Sequence, residues 1–181
     1  MARPLILFLD LDGVFKTARS IVAKLRYDPI PAKLINDLCS LPDTRVVISA
    51  TCRLHFHHLT DAQRYWRSLG MPNLTLHEHW YSNRSSDVRT VEIQDWLLQH
   101  HVPENEYVFL DDEFPTYNKE LLPWTFDIMR VNWLLVGGHN NGLNYMQCRA
   151  LRDLYDTRSG ESTLDETDLE EPVTPIGFNG S

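Results

Sequence analysis

Four short apolar windows, LILFLD (5–10), RVVISA (45–50), YVFLDD (107–112) and TFDIMRV (125–131), constrain this chain more than any other feature. None shows clean period-two alternation, as expected for strands covered on both faces. Windows of helical character separate them. The first, 31–41, opens on a proline that a first helical turn tolerates, and the second, 60–69, stops at Gly70. The third, 87–100, starts from a Ser86 or Asp87 cap and carries Val88, Val91, Ile93, Trp96 and Leu97; the fourth is 143–155. Strands alternating with helices predict an α/β fold in three layers, a parallel sheet with helices on both faces. Ligands of such sheets bind beyond the carboxyl ends of the strands.

Three polar clusters stand at those ends. Asp10, Asp12 and Gly13 follow the first window; Ser49, Thr51, Cys52 and Arg53 end the second or follow it; Asp111, Asp112 and Glu113 close the third. Carboxylates as near as Asp10 and Asp12 are costly unless they lie in open water or share a cation. In an extended segment both leave the same face, so they can share one ion. A small hard ion such as Mg²⁺ takes oxygen ligands, keeps several waters, and is satisfied by carboxylates, a carbonyl and a phosphate oxygen. Gly13 allows a sharp turn and close approach to a ligand. A carboxylate can also attack phosphorus, and phosphoryl transfer then needs hydroxyl, amide and cationic side-chain donors. Ser49 offers the first two and Arg89 the third.

The segments FLDLDGV, VVISATCR, DVRTVEIQDWL and YVFLDD resemble, in order, the four motifs of the haloacid dehalogenase (HAD) superfamily of phosphohydrolases. VVISATCR is also similar to the S-S-x-W-R element of small HAD domains associated with RNA repair, with Cys52 at the Trp position and Arg53 kept. The resemblance implies a Rossmann-like fold without a large cap domain, since the stretches 13–48 and 50–88 are too short to hold one beside their helices. It makes Asp10 the nucleophile, Asp12 the general acid/base, Ser49 a phosphate ligand, and Asp10, Asp12, Asp111 and Asp112 the Mg²⁺ acids. Gly13, Thr51 and Arg53 become candidate substrate contacts. The third motif of the family usually carries Lys; this helix has Arg89 instead, with Arg53 as its competitor for the phosphate.

At 181 residues and 43% apolar, the chain suits one domain with a real core. No apolar run approaches the roughly 20 residues that span a bilayer, and three scattered cysteines make no disulfide framework, so the expected compartment is the cytoplasm. The net charge of −8 is concentrated at the end: residues 156–181 carry seven acids and one base. The domain is expected over 1–155, followed by a flexible acidic tail over 156–181 that could recruit a protein partner.

His55, His57, His58, His77 and His79 fit no zinc template and read as loop and surface residues near the mouth of the site. The insert KTARSIVAKLRYD is the most basic short stretch and reads as a flap or a solvated hairpin. Together these features predict a Mg²⁺-dependent phosphatase acting on a phosphorylated substrate, with a nucleotide or an RNA or DNA end as candidates. The rival is a catalytically weak HAD-like binding module.

Overall fold

The computed structural model describes residues 5–82, 89–103, 106–112, 133–135 and 142–159. Within them the strands are β1 (Leu5–Leu9), β2 (Thr44–Ile48), β3 (Leu76–Tyr81), β4 (Tyr107–Asp111) and β5 (Trp133–Leu135). They form one parallel sheet in the order β3-β2-β1-β4-β5. The helices are α1 (Ala18–Val22), α2 (Pro29–Leu38), α3 (Leu59–Ser68), α4 (Arg89–Gln99) and α5 (Tyr145–Ser159).

The unbroken apolar run of β1 follows from its central place. Leu5, Leu7 and Leu9 pack into one core with Ile35 of α2, Trp66 of α3 and Leu151 of α5. Ile6 and Phe8 point the other way, into a second core with Ile93, Trp96 and Leu97 of α4 and Phe109 of β4. Alternate residues of one strand therefore feed both outer layers, and each fully buried side chain contributes about 1.5–3 kcal/mol. On the α4 face, Phe8 meets Trp96 edge to face with ring centroids 5.2 Å apart. This is the three-layer α/β arrangement expected from the sequence, with no large cap among the described residues.

Local chemistry sets the helix starts. Asp28 caps α2 by accepting from the Ile30 amide at 3.0 Å, with Pro29 in the first position where no amide donor is needed. Thr17 and Ser20 cap α1 reciprocally: each side chain bonds the other residue's backbone amide, and Ser20 Oγ also donates to the Thr17 carbonyl.

Several expectations are corrected or fall elsewhere. β3 replaces the loop expected around His77 and His79. It is an edge strand whose register against β2 shifts between Val46–Leu76 and Ile48–Tyr81, and its outward residues are polar, which hid it. His77 and His79 belong to an aromatic cluster with Trp96 and His100, in which His79 and His100 stack at 4.1 Å. The insert after Gly13 holds the short helix α1 rather than a hairpin. The window TFDIMRV lies outside the described residues, and the strand seen next to β4 is β5. α5 runs to Ser159, past residue 155; residues 160–181 of the acidic tail lie outside the described residues. Among the described residues no helix is long and apolar enough to cross a membrane.

Candidate active site

The ends of β1, β2 and β4 are tied together by backbone bonds. The Asp10 amide donates to the Leu110 carbonyl at 3.1 Å and the Ser49 amide to the Leu9 carbonyl at 3.1 Å. Asp10 therefore emerges between its neighbours, with Asp111 ending β4 on one side and Ser49 following β2 on the other. Asp10, Ser49 and Asp111 are all buried. Burial of charge is tolerated only where partners compensate it.

Asp10, Asp111 and Asp112 each offer a carboxylate oxygen, and these atoms lie within 4.8 Å of one another. Hard oxygen donors converging from two adjacent strands fit Mg²⁺, which needs few protein ligands and keeps water and substrate oxygens for the rest. Arg89, at the start of α4, spans the cluster: its guanidinium lies 3.3 Å from Asp10 Oδ1 and donates a hydrogen bond to Asp111 Oδ2. Burial pushes the Asp10 carboxyl up to about 7; Arg89 opposes this, the Asp111 charge adds to it, the Leu11 amide opposes it, and Asp112 adds a little more.

Gly13 is fixed by geometry. Its φ is +72°, and a Cβ there would lie 2.0 Å from Asp112 Oδ2. The tight turn after β1 thus passes directly against an acid of the cluster, which only glycine permits.

Asp12, expected among the metal acids, is placed differently from the other three. Its carboxylate stands outside the converging group, 66% exposed, 3.4 Å from Lys16 Nζ. The chain turns immediately after β1, so Asp10 and Asp12 do not share the face that a continued strand would have given them. So loose and exposed a pair is worth little, and the carboxylate can move. Thr51 is exposed and opens a single 3₁₀ turn, Thr51–His55.

Arg53, expected as a substrate contact, is engaged by the protein itself. It is buried and turned inward, donating from Nε to the Ser82 carbonyl at 2.8 Å and from Nη1 to the Ser49 and Ala50 carbonyls at 2.8 and 3.1 Å. Its Nη2 meets Glu92 Oε2 at 2.7 Å. Arg53 therefore braces the Ser49 loop from behind. Glu92 was missed by sequence reading; the available signal was an acid one helical turn after Arg89, beside the core positions Ile93 and Trp96. Burial, with the Asp10 and Asp12 charges, pushes the Cys52 thiol up to about 11.

A family model for the HAD domain in Swiss Army Knife RNA repair proteins matches residues 6–133. No curated protein and no solved structure matches the chain.

Proposed function

The chain belongs to the HAD domain family of Swiss Army Knife RNA repair proteins, and from that premise we propose that it is a Mg²⁺-dependent phosphatase working through an aspartyl phosphate on Asp10. The observation that carries this reading is the convergence of Asp10, Asp111 and Asp112 at adjacent strand ends with Arg89 across two of them.

An Asp10 carboxylate oxygen attacks the phosphorus and the ester P–O bond breaks. Asp12 gives its proton to the departing oxygen. Water then attacks the phosphoryl group of phospho-Asp10, Asp12 takes a proton from that water, and inorganic phosphate leaves with Asp10 restored. The exposure of Asp12 suits it to reach both leaving group and water. Mg²⁺ held by Asp10, Asp111 and Asp112 would neutralise charge on the transferred phosphoryl group. Arg89 adds a fixed cation, and Ser49 a hydroxyl, to the same task. Arg53 keeps the Ser49 loop in place.

For the substrate we favour a phosphorylated RNA or DNA end or a nucleotide. The site has no large cap over it among the described residues, which suits an extended substrate, and the family description concerns RNA repair. The test is a phosphatase screen over nucleotides, sugar phosphates and phosphorylated RNA and DNA ends, with and without Mg²⁺, run beside Asp10→Asn. Mg²⁺-dependent release of phosphate that Asp10→Asn abolishes is the expected result. No turnover of any substrate by the native protein would favour the rival binding module.

A further inference from the structure

The segment between Gly13 and α2 is built inside out. Its polar side chains Thr17, Ser20 and Asp28 are almost wholly buried, while Val22 is 84% exposed, Ile21 61%, and Leu25 and Ile30 about half. The inversion is enforced. Asp28 accepts from Thr17 Oγ1 at 2.8 Å, from Arg19 Nε at 2.7 Å and from the Ile30 amide, and its own amide donates to the Phe15 carbonyl at 2.7 Å. The Leu25 amide closes the turn onto the Ser20 carbonyl at 2.8 Å. Beneath it Val14 and Phe15 anchor the segment in the core. A polar hub of this kind holds apolar side chains in water against the hydrophobic effect, which a chain tolerates where something covers them.

The patch extends to the next element. A Cβ on Gly142 would touch the Thr17 methyl at 2.7 Å and Pro31 at 2.9 Å, so the start of α5 lies against this segment; Tyr145 and Met146 in its first turn are both 68% exposed. The same segment carries Lys16, Lys24 and Arg26, all exposed, with Lys16 beside Asp12 and Arg26 over the Tyr65 ring. The segment therefore exposes both apolar and basic side chains.

We infer that this surface is the docking site of the chain's own acidic segment, residues 160–181. That segment carries six acids between Glu161 and Glu171 and no Lys or Arg, interleaved with Leu164 and Leu169 and followed by Val173, Ile176 and Phe178. It matches the patch in both respects, acids for the basic residues and apolar side chains for Ile21, Val22 and Leu25. The reach is sufficient. α5 runs alongside α2, with Cys148 at Leu34 and Tyr155 Oη donating to the Pro42 carbonyl, so it ends away from the patch by about its own length, about 22 Å. Residues 160–181 span about 70 Å when extended at about 3.3 Å each. Tethering gives the segment an effective concentration on the order of millimolar at the patch, so weak contacts suffice.

Carbodiimide cross-linking of the full chain tests this, because it joins a lysine amine to a carboxylate only in direct contact. The expected products, in the monomer, join Lys24 or Lys16 to acids between Asp165 and Glu171, and fall about fivefold or more at 1 M salt, where the screening length is about 3 Å. Val22→Ser with Leu25→Ser, changes at already exposed positions, should reduce them similarly. Links to Lys33 instead, or to no lysine, would overturn the proposal. So would links found only between two copies, which would make the occupant a second chain.

Discussion

The guanidinium of Arg53 and the carboxylate of Glu92, 39 residues apart in sequence, meet at 2.7 Å with side chains only 5% and 6% exposed. The pair joins the loop that follows β2 to the helix that begins with Arg89. Loss of one partner leaves a buried charge, which costs about 3–5 kcal/mol. Arg53→Ala should lower unfolding stability by that order, measured by urea denaturation, and lower kcat as Ser49 and Arg89 drift. Glu92→Gln keeps an acceptor and should cost less. A variant of Arg53 with native stability and only a raised KM would mean that the guanidinium serves the substrate after all.

Arg89→Ala should reduce kcat by about 10²-fold or more on an aryl phosphate and on a nucleic-acid end alike, as expected for loss of a donor to developing charge. Arg89 also opposes the upward shift of Asp10. Its loss should therefore move the acid limb of the pH–rate profile to higher pH, and Arg89→Lys should move it part of the way back. An effect confined to one substrate would transfer the role elsewhere.

Asp10 links metal to pH. Without metal its folded-state value is raised from 3.8 to about 7. The native state then binds more protons than the unfolded chain across that window. The stability this contributes is present below about pH 3.8 and is lost as pH rises through 7, a fall of roughly 4 kcal/mol at most. Mg²⁺ competes with the same proton, so its affinity should rise with pH and level off above about 7. Calorimetric titration at pH 5.5, 7 and 8.5 checks this; a pH-independent affinity would separate Asp10 from the metal. Asp111→Ala should weaken binding at every pH.

Gly13→Ala should damage the site more than the fold. The substitution adds about 1–2 kcal/mol of backbone strain at positive φ and drives a methyl into Asp112. The expected outcome is a modest fall in melting temperature with a loss of Mg²⁺ affinity of about tenfold or more, as seen when groups that orient ligands are disturbed. Unchanged metal affinity would place Asp112 outside the coordination.

What the sequence revealed depended on burial. β1, β2 and β4 read clearly because central strands covered on both faces must be apolar throughout, whereas edge strand β3, with Glu78 and His79 exposed, carries no such pattern. The acids at the strand ends were legible because like charges so close together need a cause. Glu92 was not, since one acid on an amphipathic helix looks the same whether solvated or paired inside. Arg53 was legible only in part: a cation after a hydroxyl-bearing strand end suggests phosphate, while its bonds to Glu92 and to the Ser49, Ala50 and Ser82 carbonyls appear only in the fold. The inverted flap was invisible because nothing in KTARSIVAKLRYD announces that its threonine and serine lie inside.

The strand order has a further consequence for durability. Asp10 leaves β1, which is hydrogen-bonded on both sides, and its neighbours in the site leave β2 and β4, the strands next most enclosed. Local opening begins where fewest bonds must break, at edge strands and surface helices. The periphery, edge strands β3 and β5 included, can therefore fray while the carboxylates stay in register. The amides around the candidate site should therefore be among the slowest to exchange of the described residues, and heat inactivation should coincide with cooperative melting of the sheet rather than precede it.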